Sequence, residues 1–90
     1  MTFKPLNHKD YDKLFAQAVS LTDAMIQQRA EDCFRHGVST ELLEGQGIVP
    51  VISSQQHYDE SSFWQTYLQK RLDGMTHEEI RQANEAYNRA

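Results

Sequence analysis

Ninety residues at 10.5 kDa fit a single domain. Leu, Ile, Val and Phe together make only about a fifth of the chain, close to the level below which charged chains stay disordered, so the core must be thin and a partner or a second copy is expected to complete it. The formal charge of −4 is unevenly placed: residues 1–35 carry five basic and five acidic side chains, residues 70–90 four of each, and residues 36–69 four acids with no Lys or Arg, which leaves no basic face for phosphates and makes nucleic acid an unlikely partner.

The amino-terminal stretch MTFKPLNHKDYDK is charged and lacks the apolar run of a secretory signal, so a cytoplasmic chain is expected. Beyond it, Tyr11, Leu14, Phe15, Ala18, Val19, Met25, Ile26, Ala30, Cys33 and Phe34 keep to one stripe at a period of 3.6. The pattern predicts a long amphipathic helix over residues 9–36, capped by Asn7 or Asp10 and stopped by Gly37. Ser20, Thr22 and Asp23 are poor interior residues and could divide it in two.

Residues 37–58 read as an irregular middle. A short helical stretch at 40–44 runs into Gly45-Gln46-Gly47, then the apolar IVPVI at 48–52, then the polar residues 53–57. Pro50 has no amide hydrogen and holds Val49 extended, which disfavours a central strand. IVPVI falls far short of the about 20 apolar residues of a membrane helix, so no membrane association is expected. Its ordinary reading is a plug for the helical core. Its sharper reading is an exposed docking patch, with Val49, Val51 and Ile52 as contact residues.

From Asp59, as a candidate cap, Phe63, Trp64, Tyr67, Leu68 and Leu72 share a face and predict a helix over 59–73. This is the richest apolar face in the chain. Because the core is thin, Phe63, Trp64 and Tyr67 are added to the candidate partner-binding residues. Gly74 then ends the helix, and a last one is expected over 77–89, opened by a Thr76/Glu79 capping box and a Met75/Ile80 staple. The whole is an all-α domain of three to four helices, with a long amino-terminal helix and a carboxy-terminal helical hairpin.

Candidate chemistry is sparse. Cys33 and His36 are spaced to share a metal, but no second ligand pair lies nearby in sequence, and a lone thiol is usually a buried structural one. Gly45-Gln46-Gly47 lacks the third glycine and the flanking strand and helix of a phosphate cradle. The acidic pair Asp59-Glu60 sits where helix-starting acids belong. No catalytic residue, metal or cofactor is therefore assigned, and a non-enzymatic role is expected. Residues 68–89, with LDGMTHEEIRQA inside them, resemble the second and third helices of a helix-turn-helix, which makes a DNA-binding regulator the alternative. Glu78, Glu79 and Glu85 weigh against that reading on the face that would meet phosphates.

At residues 49–72, VPVISSQQHYDESSFWQTYLQKRL resembles, without gaps, a stretch of the theta subunit of bacterial DNA polymerase III and its phage homologue. In that family a Pro-Val-Ile loop precedes the last long helix. Pro50, Val51, Ile52, Thr66, Tyr67, Arg71 and Leu72 carry the match, and Asp12-Lys13 resembles the Asp-Lys pair opening the family's first long helix. The resemblance implies a small three-helix protein that binds and stabilises a proofreading exonuclease and has no activity of its own. An accessory or inhibitory subunit that acts by binding another protein is thus the expected function.

Overall fold

A computed structural model describes residues 8–89 of the chain and their side chains over 12–86. Four helices follow in order: α1 (His8–Ala18), α2 (Asp23–Gly45), α3 (Ser54–Leu72) and α4 (His77–Arg89). There are no strands among the described residues, and the fold is a small all-α domain. Asn7 and the side chains of Asp10 and Tyr11, which belong to the expected caps and stripe, lie outside the described residues.

The predicted 9–36 helix is two helices. Residues 20–23 end one and start the next: the Ser20 hydroxyl donates to the Gln17 carbonyl at 3.2 Å, and the Thr22 side chain caps α2 by accepting from the Met25 amide at 3.2 Å. The break folds α1 back so that Leu14, Phe15 and Ala18 meet the aromatic face of α3. Phe15 sits edge-on to Phe63, with ring centroids 5.0 Å apart, and also touches Tyr67 and His77.

Gly37 does not stop α2, which continues eight residues further to Gly45. A Cβ built on Gly37 would stand 2.6 Å from the Tyr58 ring, so here the glycine allows α3 to approach rather than the backbone to turn. The glycine that ends the helix is Gly47, at φ +86°. Its amide donates to the Glu44 carbonyl and the Ile48 amide to the Leu43 carbonyl, the paired closure of a Schellman motif. Gly74, at φ +94°, closes α3 in the same way through the Gly74–Arg71 and Met75–Lys70 bonds.

α3 begins five residues before the predicted Asp59. Ser53 is its cap, accepting from the Gln56 amide at 3.1 Å, while Asp59 instead accepts from the Gln55 side chain within the helix. The last boundary follows its sequence signals. Thr76 and Glu79 exchange the two hydrogen bonds of a capping box at 3.0 and 3.2 Å, and Met75 and Ile80 both pack against the core.

The core is Leu14, Phe15 and Ala18 of α1, Ile26 and Ala30 of α2, Phe63, Trp64 and Tyr67 of α3, and Ile80 of α4. It occupies one end of an antiparallel α2–α3 hairpin. The hairpin seam uses Ile26, Ala30, Cys33 and Gly37, alternating steps of four and three that keep one edge of α2 against α3. The 23 residues of α2 span about 34 Å, so its distal half, with the start of α3, extends past the nine core side chains as an arm. Among the described residues nothing in that arm beyond Gly37 and before Ser61 is buried.

Candidate functional site

The tip of the arm is the connection between α2 and α3. Ile48, Val49, Val51 and Ile52 are all exposed there, Val49 at 91% and Val51 completely. The plug reading of IVPVI is therefore corrected. The core lies around Trp64, at the other end of the hairpin, and the Schellman closure at Gly47 with Ser53 as the next cap leaves the loop no path back to it.

Exposure here is held in place by polar contacts. Glu44, in the last turn of α2, receives hydrogen bonds from both the amide and the hydroxyl of Ser54 in the first turn of α3, and these bonds hold its carboxyl below the usual carboxylate range. One turn further down, the Tyr58 hydroxyl donates to Glu41 at 2.7 Å, which pushes the phenol pKa up, and the Tyr58 ring lies against Phe34 and Gly37. His36 and His57 meet across the hairpin with ring centroids 5.7 Å apart. The two helices are thus tied at successive levels up to the base of the loop, and the aliphatic side chains stand beyond the last tie.

The apolar surface continues down the arm. Leu42 and Leu43 beside the loop, and Val38 and Phe34 below it, are all more than 40% exposed. Phe34 also lines a shallow groove with Gln27, Ala30, Glu31, Arg35, Gln65 and Leu68. Phe34, Val38 and Leu42 stand four apart on α2, so their exposure forms a row rather than the scattered single side chains normal on a monomer.

The other three candidate contact residues belong elsewhere. Phe63, Trp64 and Tyr67 are 1–2% exposed, packed on one another and on Phe15 in the core. They are corrected from contact residues to core residues. Arg29 also lies over the Trp64 ring, so Trp64 is enclosed by its own chain and needs no partner for its burial. Sequence reasoning saw an apolar face without seeing that α1 folds back over it.

The remaining candidates occupy structural positions. Cys33 packs against the core, and burial together with the nearby Glu60 and Asp32 carboxylates pushes its thiol up to about 11. Among the described residues no three His, Cys, Asp or Glu side chains are grouped to hold a metal ion. In the helix-turn-helix-like segment, Arg81 is paired with both Glu78 and Glu85, and Arg71 is held by Asp23 at 3.0 Å and by the Leu21 carbonyl at 2.8 Å. Those cations are engaged within the molecule rather than directed outward. No helix of the described residues is long and apolar enough to cross a membrane.

Sequence reasoning missed Phe34, Val38, Leu42 and Leu43 as surface residues. The available signal was the seam spacing 26, 30, 33, 37, which sets Val38 and Leu42 off the α2–α3 seam and leaves Phe34 at its edge. Comparison with protein-family models, with curated proteins and with solved structures finds no match.

Proposed function

We propose that the chain is a non-catalytic protein-binding module, an accessory or inhibitory subunit that docks on a larger protein through the tip of its α2–α3 hairpin. One observation carries this reading. Four large aliphatic side chains at residues 48–52 stand in solvent on a loop whose two ends are closed by a Schellman motif and a serine cap. Such a loop has lost much of its conformational freedom before any partner arrives, so less of the binding energy is spent in ordering it. Buried apolar anchors of this kind supply most of the affinity in protein interfaces.

The similarity of residues 49–72 to the theta subunit makes a proofreading exonuclease the first partner to try. The test is a pull-down with wild-type, Val51→Asp and Ile52→Asp proteins, each checked by circular dichroism. The reading expects a partner retained by the wild type and lost by both folded variants. Equal retention by all three would refute it.

A further inference from the structure

Below the tip, the arm brings two histidines together. His36 on α2 and His57 on α3 meet across the hairpin with ring centroids 5.7 Å apart and ring planes crossing at 70°. His36 is exposed and His57 half-buried, and neither imidazole has a hydrogen-bond or ion-pair partner among the described residues. Their neighbours fix the approach: Gly37 follows His36, Tyr58 follows His57, and a Cβ on Gly37 would stand 2.6 Å from the Tyr58 ring, so the pair sits where the helices run close. The Tyr58–Glu41 hydrogen bond and the Phe34–Tyr58 contact hold α2 and α3 together at that level.

Two imidazoles that bind one tetrahedral ion through nitrogens at about 2.1 Å have ring centroids about 5 Å apart, so a small rotation of these side chains brings a nitrogen of each to a common point. We propose that His36 and His57 form a two-histidine site for a divalent transition ion of the zinc and nickel class, its remaining positions open to water. Imidazole suits these ions, whereas Mg²⁺ and Ca²⁺ require a set of oxygen donors. Cys33, one turn before His36, packs against the core and does not join the donor set. The partner of His36 is instead a residue 21 positions away on the facing helix. A bound ion clips α2 to α3 midway along the arm. His36 lies on the other side of the Gly37 seam from Phe34 and Val38, so an ion there leaves the exposed apolar row uncovered.

Calorimetric titration of the full chain, without a histidine tag, with ZnCl₂, NiCl₂ and MgCl₂ at neutral pH tests this. The expected result is one Zn²⁺ or Ni²⁺ per chain and no Mg²⁺. His36→Gln and His57→Gln, both at positions outside the core, should each weaken binding about tenfold or more, because the second imidazole makes its contact within the same molecule. The double variant should be little weaker than either single one, whereas His8→Gln and His77→Gln should bind as the wild type does. Because the ion binds the folded hairpin, saturating Zn²⁺ should raise the thermal midpoint of the wild type and leave those of His36→Gln and His57→Gln nearly unmoved.

No binding by the wild type, effects of the two single variants that simply add, or an equal loss in His8→Gln or His77→Gln would show independent surface histidines and overturn the proposal. One ion held between two chains would assign the histidines to a contact between copies and overturn it as well.

Discussion

The two ends of the α2–α3 hairpin use the same helices for opposite purposes. At the core end, Ile26 and Ala30 face Trp64 and its neighbours, α1 and α4 pack over the aromatic cluster, and every large apolar side chain of that cluster is withdrawn from water. At the tip, aliphatic residues of comparable size are left in water and the helices are joined by side-chain hydrogen bonds and by the close approach of Gly37 to Tyr58. Apolar residues do not choose burial individually. They are buried where the chain supplies a second layer, and here α1 and α4 supply it at one end only. Stability should therefore reside in the first region and recognition in the second.

The sharpest way to break this comparison is to truncate one apolar residue at each end. Trp64→Ala removes the largest enclosed side chain, and with about 3–5 kcal/mol at stake it should unfold most or all of so small a domain, visible as loss of the cooperative thermal transition by circular dichroism. Val49→Ala at the tip should shift stability by no more than about 0.5 kcal/mol. A large loss from Val49→Ala would mean that the tip is part of the core.

The hairpin contact itself offers a finer test. In Gly37→Ala the new methyl must displace the Tyr58 ring, at a cost of about 1–3 kcal/mol that outweighs the about 1 kcal/mol gained from alanine's better helix propensity. In a Tyr58→Ala background the obstruction is gone, and the same substitution should become stabilising. Denaturant melts of the four proteins give the coupling, and additivity would show that the two residues do not touch.

Smaller effects are expected from the caps. Thr76→Ala should cost about 1 kcal/mol by freeing the Glu79 amide, read as a lowered midpoint in urea. Glu44 sets a pH dependence at the tip. Its folded pKa lies below the ordinary value of 4.5, so the interaction with Ser54 is fully present above pH 4.5 and is lost as the pH falls through the folded value. The Ser54 amide resonance should follow that acid titration in the wild type and not in Glu44→Gln. At the alkaline side, the Cys33 thiol, pushed up to about 11, should react with an alkylating reagent at pH 8 far more slowly than a free thiol does.

Much of the core end was legible in the sequence because its signals are local. The capping box at Thr76 and Glu79, the stop at Gly74 and the shared face of Phe63, Trp64 and Tyr67 each depend on residues a turn or less apart. The arm was not legible because its determinants join residues distant in sequence. Gly37 resembled a helix stop, since the side chain that fills its vacant space, Tyr58, lies 21 positions away. Asp59 was read as the cap although Ser53 holds that place by a local bond, and the further bond at the start of α3, donated by the Ser54 amide, is accepted by Glu44 on another helix. The IVPVI loop offered two readings of equal chemistry, and only the position of the core relative to the loop separates them. The division at residues 20–23 was visible in composition, but its consequence, the covering of Trp64 by α1, is a tertiary fact.

On the docking proposal, the exposed aliphatic side chains of the tip serve binding and do not hold the fold. This is tested most directly by Val51→Asp, measured for stability and for partner binding in the same preparation. The expected result is a thermal midpoint and denaturant slope matching the wild type together with loss of the bound partner, because a charge on a fully exposed side chain costs nothing in the folded monomer but must be desolvated in a complex. An unfolded Val51→Asp protein, or a folded one that binds as the wild type does, would contradict it.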